Sequence, residues 1–215
     1  MQSISDSFFK LAIIVALFSC AYSISTYRSA GIDFESMADY LVDSGFNFPE
    51  SQQELELLEQ RKILISTSIN AHSSRSIIQK LLILNARDAD APIDLYLRTE
   101  GGWEADAFSV INTMRATTAP VNIHAIGEVH SAGLMILTAA TGQRIAYPQT
   151  IFGYHALEEG ELPEWVKRYE QLWGINSKLP KDWIAPRDGE MLYFTAEEAL
   201  TYGVVDKLME AKPSR

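Results

Sequence analysis

The sequence predicts an α/β fold, a parallel sheet core with flanking helices. Two observations predict it. Three short runs rich in branched apolar residues (62–67, 93–97 and 121–126) alternate with longer stretches whose apolar positions recur at helical spacing. Strand–helix–strand order of this kind builds a parallel sheet with helices packed on it. The chain is also large and apolar enough: 215 residues, 47% apolar and 21% charged, suffice for one sizeable core.

The elements follow in chain order. Residues 62–67 form the first expected strand. Ser73 or Ser74 is expected to cap a helix that turns Ile77, Ile78, Leu81, Leu82 and Leu84 inward. The strand at 93–97 runs into Gly101-Gly102. The next helix faces Ala105, Phe108, Val110 or Ile111, and Met114 inward. The third strand, 121–126, ends at Gly127. From about Ser131 a small apolar helix carries Ala132, Leu134, Met135, Leu137, Ala139 and Ala140. A short strand at 144–146, a turn at Pro148 and a strand over 151–155 complete the run. Sites in open parallel sheets form at the carboxyl ends of strands. Gly101-Gly102, Ser131 and His155 all lie at such ends, so they are expected to converge.

The amino-terminal third has a different character. Lys10 precedes an apolar run at 11–18, the pattern of a secretory leader. Cleavage near Ser19-Cys20-Ala21, lipidation of Cys20 (Phe18 fits that motif poorly), retention of 8–24 as an anchor, and a buried helix are the competing outcomes. The expected organisation is a signal peptide or membrane anchor over 1–24 and a linker over 25–60 with a short helix near Phe34, Met37, Tyr40 and Leu41. A folded domain over 61–215 follows. Cys20 is the single cysteine, which excludes a disulfide framework and a cysteine-based metal site. A net charge of −10 argues against non-specific nucleic-acid binding.

Ser131 stands in Gly127-Glu128-Val129-His130-Ser131-Ala132-Gly133, a glycine-flanked turn from strand to helix. A serine there is either a nucleophile held near the positive end of a helix or simply an N-cap. Gly101-Gly102 can present unobstructed backbone N–H groups that, with the N–H of Ala132, form a two-donor oxyanion hole. The plainer reading is a turn that needs positive φ. His155 is a candidate base, able to take a serine proton and return it to a leaving amine, or else a structural histidine. His124, in mid-strand, is expected to pack or hydrogen-bond, and His130 to line the cleft. A zinc site from His124, Glu128, His130 and His155 fits no compact ligand spacing. A serine–lysine dyad is disfavoured because no lysine lies between Lys80 and Lys167.

Five blocks in order resemble the proteolytic subunit of the Clp protease, a serine peptidase of crotonase-type fold. Arg61-Lys62-Ile63-Leu64-Ile65 and the helix through Leu84 are similar to its first strand and helix. Thr99-Glu100-Gly101-Gly102 resembles its Ser-Pro-Gly-Gly turn, and residues 127–133 its Gly-x-Ala-Ala-Ser-Met-Gly turn. Pro148 and His155 have the family's proline-to-base spacing. Tyr193-Phe194-Thr195-Ala196-Glu197-Glu198-Ala199 with Tyr202-Gly203-Val204-Val205-Asp206 resembles its carboxyl-terminal signature.

The resemblance implies a superhelix of repeated β-β-α units. It further implies Ser131 as nucleophile, His155 as base, and Gly102 with Ala132 as oxyanion donors. The family's aspartate lies shortly before the signature. Asp188 is taken for it, with Asp182 and Glu190 as substitutes, and its role would be to hold the imidazole tautomer. Neither metal nor cofactor is implied. The substrate would be a peptide or unfolded polypeptide, and the chain a homo-oligomer, with rings as in the family. Stacking of two rings is not expected, because the segment between His155 and Tyr193 is shorter than the family's. Its stripe of Trp165, Val166, Tyr169, Leu172 and Trp173 serves an interface or packs on its own subunit. The family's pore-forming amino-terminal motif is absent. With an exported or membrane-associated domain, no ATP-driven unfoldase would feed the site. Two competing readings are an inactive peptide-binding scaffold and an acyl-CoA enzyme of the wider crotonase fold.

Overall fold

A computed structural model of the chain describes residues 52–155, 164, 167–168, 171–173, 177–179 and 191–210. By contacts the chain divides into Met1–Pro49 and Glu50–Arg215, and the described residues belong to the second unit. The leader, residues 25–51 of the expected linker, the candidates Asp182, Asp188 and Glu190, and Trp165, Val166 and Tyr169 of the apolar stripe lie outside the described residues. Among the described residues no helix is long and apolar enough to cross a membrane.

Helix α1 (Gln52–Glu59) precedes the expected start of the domain at residue 61 and sets Leu58 into the core. Strands β1 (Lys62–Ser66), β2 (Ile93–Thr99) and β3 (Val121–His130) then pair in parallel, with Leu64 opposite Tyr96 and Tyr96 opposite His124. Alternation along β2 buries Ile93, Leu95, Leu97 and Thr99 beneath the helices. The other face carries Asp94, Tyr96 and Arg98. There Tyr96 stacks on His124 at 4.5 Å, and His124 Nε2 lies 3.2 Å from Asp94 Oδ1. The mid-strand histidine therefore packs and hydrogen-bonds, as expected.

Helix α2 (Ala71–Arg87) starts earlier than its serines suggest. Asn70 is the cap, its Oδ1 accepting from the N–H groups of His72 and Ser73, while the Ser73 hydroxyl accepts from the Asn70 N–H in a reciprocal capping box. Ile77, Leu81 and Leu84 are buried, but Leu82 faces outward. Helix α3 (Glu104–Ala116) buries Ala107, Val110, Ile111 and Met114, so the inward face excludes Ala105, which is exposed.

Strand β3 does not stop at Gly127. It passes through that residue at φ 66 and continues to His130. Its first half pairs with β4 (Arg144–Ala146) and its second half with β5 (Ile151–Tyr154). Gly127 thus acts as a bend inside a strand rather than as a terminator. The all-buried helix α4 (Ala132–Thr138) leaves from the far end of β3. Strand β6 (Leu192–Thr195) pairs antiparallel with β5, and after helix α5 (Ala196–Thr201) strand β7 (Lys207–Leu208) adds parallel to β4. The result is a seven-stranded sheet of order β1-β2-β3-β4-β7 with β5 and β6 on a branch from β3. Leu172 and Trp173, the described members of the apolar stripe, are buried, with Trp173 edge-on to Tyr154 at 5.0 Å; they pack within this chain.

Arg144 and Asp206 lock β4 to the turn before β7. Arg144 donates to Asp206 through its backbone N–H at 2.8 Å and through Nη2 at 2.6 Å, and Nη1 donates to the Gly203 carbonyl at 2.8 Å. Burial pushes the Asp206 carboxyl up, but the hydrogen bonds and charge of Arg144 outweigh it and hold the carboxyl below its ordinary value. A depressed folded-state pKa contributes stability above the unfolded value, and that contribution fades as pH falls through the folded one. Asp206→Asn should therefore melt lower than the wild type at pH 7 and lose less on acidification to pH 3. Parallel melting-against-pH curves for the two proteins would contradict this linkage.

Candidate active site

Ser131 sits at the junction of β3 and α4 with φ 49 and ψ −121, outside the extended geometry of an ordinary N-cap, and its side chain makes no capping hydrogen bond. Capping is therefore not what its hydroxyl does. The conformation is costly for a residue with a Cβ, on the order of 1–3 kcal/mol, and recurs where a strand-to-helix turn exposes a side chain. Its neighbours hold it there. The Ser131 N–H donates to the Gly153 carbonyl at 2.9 Å, and its own carbonyl accepts from Leu134 N–H at 2.9 Å.

His155 follows β5 directly. Because β5 is parallel to the second half of β3, with His130 opposite Gly153, extending the register sets Tyr154 across from Ser131 and brings His155 in one residue beyond it, at the start of α4. The imidazole Nε2 lies 2.7 Å from Ser131 Oγ. With Nε2 unprotonated the hydroxyl donates to it, and a proton can pass along this bond.

The Gly101-Gly102 turn arrives from β2. Gly101 has φ 105 and Gly102 φ 146, conformations that favour glycine. A Cβ on Gly101 would fall 2.6 Å from Ser131 Cβ, so the turn lies directly against the serine. Ile69 bridges to Gly102: the Ile69 N–H donates to the Gly101 carbonyl at 2.7 Å, and the Ile69 carbonyl accepts from Trp103 N–H at 2.9 Å. In that pattern the N–H of Gly102 turns away from Ile69 and is spared for another acceptor. Ala132, the first residue of α4, likewise has an N–H with no partner inside its helix.

Two contributors escaped sequence reasoning. Thr99 is buried, and its hydroxyl accepts from the Gly101 N–H at 3.1 Å, anchoring the turn. Gly153 both holds the Ser131 N–H and makes room for a neighbour, because a Cβ on it would come within 2.8 Å of the His130 ring and 3.0 Å of Met191 Sδ. His130 therefore packs over Gly153, edge-on to Tyr193 at 5.5 Å. The β5–β6 register pairs Tyr154 with Leu192, and continuing it by one residue sets Met191 across from His155. A glycine inside a short strand is the only signal in the sequence for the first of these contacts, and there is none for the second. Among the described residues, His124, Glu128, His130 and His155 included, no three histidine, cysteine, aspartate or glutamate side chains gather to hold a metal ion.

Residues 50–159, just over half of the chain, match the family model of the Clp protease. The ATP-dependent Clp protease proteolytic subunit 2 of Gloeobacter violaceus is 27% identical over 194 residues, covering 83% of this chain and 89% of that protein. A mutant of ClpP1 from Listeria monocytogenes superposes with a TM-score of 0.65 at 23% identity, over 74% of this chain and 97% of that one, and so shares the fold. The order of the strands, the mostly parallel sheet with flanking helices and these matches together place the chain in the Clp protease family, with the fold of its proteolytic subunit.

Proposed function

We propose that the chain is a serine-type endopeptidase that hydrolyses peptides or unfolded polypeptides with Ser131 as nucleophile and His155 as general base. The carrying observation is the 2.7 Å contact between Ser131 Oγ and His155 Nε2, made by a serine held at φ 49. In this reading Oγ attacks the scissile carbonyl as its proton passes to Nε2. The N–H groups of Gly102 and Ala132 receive the negative charge that develops on the carbonyl oxygen. The imidazolium then protonates the leaving amine, and a water repeats the sequence to release the acyl group. Asp188 is proposed to steady the imidazole through Nδ1.

Family membership supports a homo-oligomer, and the proposal extends to a ring. The apolar run at 11–18 supports a place at or beyond a membrane, where peptides reach the site without an ATP-driven unfoldase.

A fluorophosphonate probe tests the chemistry on the assembled protein. Label should appear on Ser131, and both Ser131→Ala and His155→Ala should abolish or strongly slow it. Absence of label on the wild type would sink the peptidase reading.

A further inference from the structure

Strands β1 and β2 leave a gap at their carboxyl ends. They are in register at Ser66 and Arg98 and meet again at Ile69 and Gly102, so three steps on one chain face four on the other. The pairing of β2 with β3 is irregular at the same level: the register shifts between Leu97 and Thr99, where two steps on β2 face four on β3. A pocket of about 220 Å³ opens there, lined by Ser66, Ser68, Arg98, Thr99, Glu100 and Glu128 among others. It has room for one side chain but falls short of the ~300–1,000 Å³ typical of a cofactor site.

Its chemistry selects the occupant. Arg98 is committed: Nη2 lies 2.6 Å from Glu128 Oε1, and Nη1 donates to Ser66 Oγ at 3.5 Å. Glu100 has no hydrogen-bond or ion-pair partner among the described residues. One arginine against two glutamates leaves a formal charge of −1. That balance repels an anion. A guanidinium inside the pocket disfavours a bare metal ion. An ammonium group, in contrast, finds the Glu100 carboxylate and the hydroxyls of Ser66 and Ser68.

We propose that this pocket is a substrate subsite for a basic side chain, a lysine of the peptide whose scissile bond lies at Ser131. The inference rests on the peptidase reading and adds a preference to it. Proximity supports the assignment. Gly101 packs on Ser131, with its would-be Cβ 2.6 Å from Ser131 Cβ, and Glu100 is one Cα–Cα step of about 3.8 Å away. An extended peptide advances about 3.3 Å per residue, so the pocket lies within reach of a side chain about one to three residues from the bond cleaved.

Fluorescence anisotropy on assembled Ser131→Ala protein reads the subsite without any turnover. The probes are fluorescein-labelled peptides carrying lysine or its uncharged isostere norleucine at each of three positions on either side of a central bond. At one position lysine should bind about two- to fivefold tighter than norleucine, the scale of a partly exposed ion pair, and the preference should shrink as salt is raised. Glu100→Gln should erase it. Arg98→Gln, which releases Glu128, should enlarge it, a sign that a merely structural role for these residues would not produce. Equal affinities at every position, no binding of either peptide, or a preference untouched by Glu100→Gln would overturn the subsite. Fluorophosphonate labelling of wild-type Ser131 in any of these cases would leave the peptidase reading standing.

Discussion

Replacing Ser131 with alanine should lower peptide turnover by about 10⁴-fold or more while leaving the fold in place. Alanine fits the same backbone conformation as serine, so the turn should persist; what disappears is the one oxygen that contacts His155 Nε2. Groups of this kind act as a unit. His155→Ala should cost nearly as much as Ser131→Ala, and the double variant should be scarcely worse than either single one. Residual turnover well above the uncatalysed rate would come from binding and from backbone donors. Steady-state hydrolysis of an unstructured fluorogenic peptide, with thermal melting as the fold control, measures all three variants. Turnover within tenfold of the wild type for Ser131→Ala would remove the serine from the mechanism.

The second large effect concerns Gly102. An alanine Cβ there would sit 2.0 Å from the Ile69 carbonyl oxygen and within 2.9 Å of the Ile69 backbone nitrogen, at φ 146. Backbone cannot swing aside as a flexible side chain does. The Ile69 segment would have to withdraw, breaking the two hydrogen bonds that tie it to Gly101 and Trp103. A loss of about 3 kcal/mol follows from strain and broken pairing together, equivalent to a melting point lowered by about 6–12 °C for a chain of this size. Peptidase activity should vanish with the turn. Gly203 supplies the contrast: its φ of 65 is also positive, but a Cβ would meet nothing closer than Lys178 Cγ at 3.8 Å. Gly203→Ala should therefore cost only about 1 kcal/mol. Equal melting points for the two variants would show that the clash with Ile69 is relieved at no cost.

Local signals carried much of the fold and the site. Alternation located β1, β2 and β3, and glycine-flanked turns located Ser131 and the Gly101-Gly102 pair, because each of these is set by a few consecutive residues. Errors arose where several local signals competed. Ser73 and Ser74 fit the cap position by residue type, but the reciprocal bond between Asn70 and Ser73 puts the cap at Asn70. Gly127 reads as a stop, but pairing with β5 carries the strand through it. Leu82 fits an inward helical stripe by spacing, although the neighbouring elements leave it in solvent. The approach of Met191 to Gly153, and its place across from His155, depend on the antiparallel pairing of β5 with β6. That pairing joins segments nearly forty residues apart, and nothing local encodes it.

The geometry of Ser131 bears on selection as well as on chemistry. A side chain at φ 49 is a standing tax on stability that a single change to glycine would lift. Drift in a pure scaffold has no reason to resist that change, since the scaffold would gain stability and lose nothing it uses. A serine kept in this conformation, with its hydroxyl on an imidazole nitrogen, is the pattern expected where reactivity is the trait maintained.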